Sequence, residues 1–559
     1  MTQAAKAGQS WPLFSSLASW RPAFLTSDLI AGLTLAAIAI PEQMATARLG
    51  GFAPQIGFFA FMAGSVGFAL AGSNRFLSCG ADSTITPIFA GGIAALAVTG
   101  SPDYSAHAIA LALMVGVMLM ASGVFKLGGI ANLLSVPVTV GFLAGISVHI
   151  LVSQLPGVLG IELPSGPTLD RIGAIATHLG GVNPYTICIG FGVLAAVMVS
   201  ETISAKIPGA LIGLVAATLA VIAAGLEAKG VKVVGAVPAA LPRPTLPDIA
   251  PEQWVRLVPL AFVISVVVMV QTAATTRSFL SDPDKPADVD RDFLGAGAGS
   301  VLAGVFGAFP VNASPPRTGI VAETGGKSQV AGLAAAAIVL ALLAFGTGLL
   351  KRVPDAALGG ILLFVALRII RVKQIATIYR QSSAEFLLIL ATAALIIVLP
   401  IQQGAALGII LSLLHGIWST TRAKLVHFDR VPGTTIWWPT TPHMQGERVD
   451  GVAVVGLQAP LSFLNAPGFR SEVAGVVTTT RPKLVVIEAS GMVEIDFTAA
   501  QVLLDIFKDC REQEATVAVA RLESTRAQAA FERFRLYDSL PREHVFRSVE
   551  EAVRKLGAH

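Results

Sequence analysis

Charge is what this sequence has least of. Asp, Glu, Lys and Arg make up 13% of its 559 residues, where a soluble globular chain carries roughly 25%. Hydrophobic residues supply 54%. That imbalance excludes an ordinary soluble fold for most of the chain and points to a bilayer as its solvent. The net charge of +4 is far from the basic footprint of a nucleic-acid binder, so no nucleic-acid partner is expected. Cysteine is scarce: Cys79, Cys188 and Cys510 lie far apart, a spacing that fits neither a disulfide framework nor a zinc site. The stretch 1–21 lacks the charged start, short apolar core and small-residue cleavage site of a signal peptide. The first membrane span is expected to serve as its own insertion signal. No glycine-rich phosphate loop stands between a strand and a helix, and no nucleophile–base pair or metal cluster appears. The sequence therefore supports neither an ATP-driven pump nor an enzyme, and it implies no metal or cofactor.

What the chain does have is apolar runs of membrane length, from 28 to 421. At roughly 20 residues per span they predict about fourteen: 29–47, 56–71, 84–98, 108–125, 134–152, 185–199, 211–226, 257–275, 293–309, 314–323, 330–350, 356–370, 386–399 and 405–421. Short loops on one side hold Arg75, Lys126, Lys206, Lys327, Arg368, Arg371, Lys373 and Arg380, while the long loops 155–184 and 227–256 are weakly charged. With an even count and positive charge kept inside, both termini are expected in the cytoplasm, with 1–27 as a cytoplasmic N-terminal segment of a multi-pass inner-membrane protein. From 422 to 559 the composition turns soluble. Strands at 452–457, 484–487 and 516–521 alternate with helices at 499–512, 525–534 and 549–556, the pattern of a small α/β domain.

Two spans are interrupted. Gly72 to Pro87 and Gly307 to Gly319 are polar, Gly/Pro-rich stretches that each lead into a short apolar segment. They fall in the third and tenth spans, the same place in two halves of seven. Paired broken helices in corresponding positions point to an inverted repeat with a binding site at the membrane midplane. Helix N-termini carry unpaired N–H groups and about half a positive charge, so two of them facing one point favour an anion. Arg317 adds a full charge in the first turn of the tenth span, and Ser314 is placed to donate to an anion. Glu42, after Pro41 in the first span, and Asp82, at the start of the third, are ionisable groups in the membrane, which is expensive and usually functional. Desolvation disfavours their charged form, so each is suited to carry a proton beside the anion. Plainer readings stand beside these: Glu42 or Asp82 paired with Arg317 to hold the core, Asp82 as a cap of the third span, Gln271 in the eighth span as a bridge between helices, and His149 as a satisfied interhelical residue.

The same residues carry a family resemblance. Asp-Leu-Ile-Ala-Gly-Leu-Thr at 28–34 with Ile-Pro-Glu at 40–42, Arg-Phe-Leu-Ser-Cys-Gly-Ala at 75–81, Arg317-Thr318, and Thr-Gly-Gly-Lys-Ser-Gln at 324–329 resemble the sulfate permease (SulP) family. The C-terminal part resembles a STAS domain, with Ile495-Asp-Phe-Thr-Ala499 at the loop that often reads Asp-Ser-Ser-Gly there. The resemblance spans nearly the whole chain. It implies an α-helical polytopic membrane protein of fourteen spans in a 7+7 inverted repeat, with core and gate domains, a homodimeric assembly and elevator-type movement. It implies a substrate site at Thr46, Ala81, Asp82, Ser83, Ser314, Pro315, Pro316 and Arg317, with Glu42 beside it and Gln271 and Thr275 on its edge. Many relatives carry Gln at position 42, an apolar or hydroxyl residue at 82, and a carboxylate at 271 that sodium-coupled members use for sodium. Gln271 therefore weighs against sodium, and Glu42 and Asp82 favour protons. With Thr498 and Ala499 in the STAS loop, phosphoregulation there is not expected.

The resulting expectation is a proton-coupled symporter of small anions such as sulfate, bicarbonate or a dicarboxylate, embedded in the lipid bilayer, with a regulatory protein at the STAS domain as a further partner. The alternatives are an uncoupled exchanger or channel, a nucleobase carrier, which Arg317 disfavours, and an anion sensor signalling through STAS.

Overall fold

The computed structural model describes residues 14–17, 20–129, 135–163, 168–204, 207–235, 241–280, 287–421, 425–441 and 446–557. The stretch 1–13, the loop cation Lys206 and positions 422–424 lie outside the described residues. The chain forms two compact units, 1–413 and 414–559.

Up to Thr421 the chain is helical: α1 (Leu25–Leu49), α2 (Pro54–Ala71), α3 (Thr86–Ala94), α4 (Pro102–Val124), α5 (Val136–Leu159), α6 (Thr168–Thr177), α7 (Pro184–Ile203), α8 (Gly209–Ala224), α9 (Pro251–Ser278), α10 (Val289–Val305), α11 (Pro315–Glu323), α12 (Val330–Phe345), α13 (Thr347–Leu350), α14 (Asp355–Ile369), α15 (Val372–Gln381), α16 (Ser383–Val398) and α17 (Ile401–Thr421). Setting aside the amphipathic α6 and α15 and the four-residue α13 leaves fourteen spans among the described residues, seven from α1 to α8 and seven from α9 to α17. Two strands, β1 (Cys79–Gly80) and β2 (Asn312–Ala313), precede α3 and α11. These two helices have nine residues each. At 1.5 Å per residue each covers about half of a roughly 30 Å hydrocarbon core.

The spans sort into two bundles by the same rule in each half. The first four of each half pack together: α4 and α2 lie on α10, α1 and α2 on α12, and α4 on α9. The last three form the other bundle, with α5 against α14 and α16, and α7 against α14 and α8. Glycine sets the closest crossings. A methyl on Gly67 of α2 would lie 2.3 Å from Gly299 N on α10, and one on Gly360 of α14 would lie 2.2 Å from Gly190 O on α7. Such contacts suit membrane helices, which associate by close packing rather than by a hydrophobic drive. Between the bundles, α1 meets α14 and α8, and an Arg48–Asp355 ion pair joins α1 to α14.

At three spans the limits differ from the sequence expectation, once through a buried acid and twice at a turn marked by glycine. The ninth begins at Val289, four residues before the expected start, because Asp292 is buried and satisfied: its carboxylate accepts from Ser73 N and Oγ, Asn74 N and Thr276 Oγ1 at 2.7–2.9 Å. The third ends at Ala94 rather than 98, in a turn that reaches Gly100 at φ 82°. The eleventh stops at Phe345, where Gly346 separates it from α13.

The second unit is a six-stranded sheet in the order β4-β3-β5-β6-β7-β8, comprising β3 (Leu425–Arg430), β4 (Trp437–Pro439), β5 (Val452–Leu457), β6 (Leu484–Glu488), β7 (Thr516–Ala520) and β8 (Val545–Phe546). β5 to β8 are parallel, and β3 and β4 add an antiparallel edge. The helices are α18 (Ala466–Thr480), α19 (Phe497–Glu512), α20 (Thr525–Arg533) and α21 (Val549–Leu556). Arg470 of α18 bonds Asp505 and Asp509 of α19 at 2.5 and 2.9 Å.

Candidate functional site

Two strands of two residues each make the centre of the first unit. β1 and β2 pair antiparallel, Cys79 with Ala313 and Gly80 with Asn312, and Ser314 N donates to Ser78 O at 2.9 Å. The pairing satisfies backbone groups that non-helical chain would otherwise leave open inside a membrane. It also sends α3 and α11 away from one place in opposite chain directions. Both half-helices open with proline in the first turn, where the missing N–H costs no hydrogen bond. Three brackets hold this centre. Asp28 of α1 accepts from Lys327 N, Ser328 N and Ser328 Oγ ahead of α12. Asp292 holds Ser73 and Asn74. Gln329 Nε2 donates to Asn74 O and Leu77 O.

Arg317 of α11 is fully buried and Glu42 of α1 half-buried; Nη1 of the arginine donates to Glu42 Oε1 at 2.8 Å and to Ala81 O at 3.2 Å. Arg317 Nε and Nη2 have no hydrogen-bond partner among the described residues, nor does the buried Thr46 Oγ1. The next residue along α1, Gln43, clamps Ala81 from both ends of its amide: Ala81 N donates to Oε1 at 2.8 Å, and Nε2 donates to Ala81 O at 3.0 Å. The Glu42-Gln43 pair thus docks the first span onto the peptide that leads into α3.

Asp82 does not cap α3 itself. That helix begins at Thr86 after Ile85, and the Asp82 carboxylate instead holds the preceding turn, accepting from Thr84 N at 3.0 Å. It also meets the Thr84 hydroxyl and takes Asn312 Nδ2 at 3.3 Å. Thr84 Oγ1 lies 2.8 Å from Gln271 Oε1, whose Nε2 donates to Ala313 O at 3.0 Å. Gln271 therefore bridges the two interrupted segments from α9. Thr275 Oγ1 is spent on its own helix, on Gln271 O at 2.7 Å. Ser83 and Ser314 are buried, Pro315 half-buried and Pro316 exposed. His149 bonds Thr168 Oγ1 at 3.0 Å, away from this network.

Gln43, Thr84 and Asn312 are the residues the sequence reading passed over. The signal for each was present: Gln43 follows Glu42 inside a span, and Thr84 and Asn312 stand within the interrupted segments. Polar residues of three spans and two strands converge on one buried place, with Arg317 as its buried cation.

A model of the sulfate permease family matches residues 25–392, two thirds of the sequence. The chain belongs to the sulfate permease family. A STAS domain model matches 443–552, so the second unit contains a STAS domain. A Mycobacterium tuberculosis protein named "probable sulfate transporter" is 31% identical over 538 residues, covering 95% of each chain. Among solved structures, the murine solute carrier 26 family member A9 anion transporter, in the inward-facing state, overlays with a TM-score of 0.89 at 20% identity, covering 100% of this chain and 96% of that one. The transmembrane domain of a cyanobacterial bicarbonate transporter overlays with 0.61 at 22% identity, covering 70% and 98%. The permease unit is therefore a multi-pass membrane anion transporter with the fourteen-span repeat, and the family is one of transporters rather than enzymes. In its STAS domain, Asp496 caps α19, accepting from Ala499 N at 2.8 Å, and also accepts from Phe463 N at 2.7 Å, while Thr498 is exposed.

Proposed function

We propose that this chain is a secondary active transporter that carries a small oxyanion together with a proton. The anion would sit between the N-termini of α3 and α11, at Thr46, Ala81, Asp82, Ser83, Ser314, Pro315, Pro316 and Arg317, with Gln271 and Thr275 on its edge and the carboxylates Glu42 and Asp82 supplying the proton site. The observation that carries this reading is Arg317: one arm is held by Glu42 and Ala81, and its Nε and Nη2 donors are uncommitted. That edge of a guanidinium is a planar fork matched to two oxygens of one anion. Buried donors without partners are rare and call for an explanation. Sulfate is the first substrate to test, bicarbonate the second and a dicarboxylate the third; relatives and fold neighbours bear the first two in their names.

The two bundles meet mainly through α1 against α14 and α8, with α3 also against α5, and we read this as a core that slides against a gate. We infer an elevator-type movement in a homodimer, in the inner membrane with both termini in the cytoplasm. Proteoliposomes holding the full chain test the reading. Labelled sulfate, bicarbonate and succinate are offered with the outside acidic, and uptake of one of them above its equilibrium level is expected. Uptake indifferent to the pH gradient for all three would refute coupled symport. A current reversing at the anion's equilibrium potential would identify a channel instead.

A further inference from the structure

The hydrogen bonds around Thr84 do not balance unless a carboxylate carries a proton. Thr84 Oγ1 touches Asp82 Oδ1 and lies 2.8 Å from Gln271 Oε1. A threonine hydroxyl has one hydrogen. With Asp82 ionised, both neighbours are pure acceptors, and one of the two contacts holds two oxygens with no hydrogen between them. Turning the Gln271 amide does not help, because its Nε2 donates to Ala313 O at 3.0 Å and the turned group would set oxygen against that carbonyl. Asn312 Nδ2 reaches Asp82 Oδ1 at 3.3 Å and Thr84 Oγ1 at 3.4 Å. It adds hydrogens from another side but none between Thr84 and Gln271. Asp82, Thr84 and Asn312 are buried, where an oxygen pair without a hydrogen is costly.

One added proton closes the account. Asp82 then donates to Thr84 Oγ1, Thr84 donates to Gln271 Oε1, and Gln271 Nε2 donates to Ala313 O. We propose that Asp82 binds a proton at this Thr84–Gln271 site, and that Asp82 rather than Glu42 is the group that exchanges the transported proton. The inference rests on the coupled-transport reading only for the word transported. When the proton leaves for the aqueous side then open, Asp82 ionises and the Thr84 hydrogen turns from Gln271 to Asp82; Thr84 and Gln271 are positioning residues.

The surroundings separate the two carboxylates. Glu42 faces a full positive charge, Arg317 Nη1 at 2.8 Å. Asp82 receives only neutral groups: the Thr84 N–H and hydroxyl and the Asn312 amide. The charged groups closest in the network are Glu42 from α1 and Arg317 from α11, which are paired to each other. From α9 comes the neutral Gln271, and from β1 the Cys79 thiol. The other helices packed on α3 are α4 and α5. In α4, His107 bonds Asp103 O of its own helix, and in α5, His149 bonds Thr168.

Infrared difference spectroscopy on the full chain in liposomes, in sodium-free buffer near neutral pH, tests the proposal. The wild type minus Asp82→Asn spectrum is expected to show the carbonyl band of a protonated carboxylic acid, and Glu42→Gln is expected to keep it. Thr84→Val, which stays close to the native shape if Asp82→Asn fails to fold, is expected to shift the band. A difference spectrum without that band, a band lost in Glu42→Gln, or a band unmoved in Thr84→Val would overturn it. So would loss of the band on adding sodium chloride at constant pH, which would make sodium the occupant. In proteoliposomes, Asp82→Asn is expected to lose all dependence of uptake on the pH gradient, and retained dependence overturns the proposal. Wild-type uptake without such dependence would sink the symport reading, while the band would still report whether Asp82 holds a proton.

Discussion

Arg317 and Glu42 stand 275 positions apart in sequence and 2.8 Å apart in space, joining the broken tenth span to the first span just after its Pro41. Removing one partner of a buried ion pair leaves an uncompensated charge, at a cost of about 3–5 kcal/mol, whereas replacing both with apolar residues is often neutral. Arg317→Met is therefore expected to lower the thermal unfolding midpoint of the solubilised protein sharply. The double variant Glu42→Leu/Arg317→Met is expected to recover most of that loss and still transport nothing. A double variant as unstable as the single one would mean that the pair's charges are not what holds the site.

Gly360 gives a test of the gate bundle. A side chain there meets Gly190 O, a backbone atom that cannot swing aside. Overpacking a tight core typically costs about 1–3 kcal/mol, and backbone contact puts this position at the upper end. Gly360→Val is expected to aggregate or to unfold well below the wild type in size-exclusion and thermal assays. Gly348, with open space around it, is the control that should tolerate Ala.

The Arg48–Asp355 pair links the two bundles through partly exposed groups, so its energy is of order 0–1 kcal/mol, and 1 kcal/mol corresponds to about fivefold in a rate or population. Arg48→Asp is expected to change the uptake rate by no more than several-fold, and Arg48→Asp/Asp355→Arg to restore it. A complete loss that the swap does not repair would assign Arg48 another role.

In the STAS domain, burial pushes the Cys510 thiol up to about 11. The folded domain therefore keeps its proton where an unfolded chain, with a thiol near 8.5, loses it. The sign follows: stability from this group is complete below about 8.5 and falls as pH rises toward 11. Cys510→Ala is expected to flatten the loss of thermal stability across that window, and thiol labelling of Cys510 at pH 8 in the folded protein is expected to be slow. Rapid labelling at pH 8 would contradict the buried placement.

Much of the fold was legible because its signals are local. Long apolar runs mark the spans, and the parallel strands β5 to β7 announce themselves as short Val/Ile/Leu-rich runs. The edge strands β3 and β4 and the two-residue β8 were missed, since each is polar or too short to show a period. The charged start of α10 was missed for another reason: Asp292 looks like loop until its four donors, from residues as far as 219 positions away, are known. At the site, residue types gave Arg317, Glu42 and Asp82. Which carboxylate faces the arginine is a matter of three-dimensional placement, and so are the roles of Gln43, Thr84 and Asn312, whose partners come from other spans.

The span of sequence between Glu42 and Arg317 also sets a delay in the making of the protein. At about 5–20 residues per second, a ribosome needs roughly 14–55 s to add the 275 positions between them. Throughout that time the first span exists with its carboxylate and without its cation, and for most of it the segment Cys79–Gly80 waits for Asn312–Ala313. The amino-terminal half is consequently an assembly intermediate whose interior polar groups must stay hydrated or be shielded by the insertion machinery, and a chain truncated before the tenth span is a natural substrate for membrane quality control.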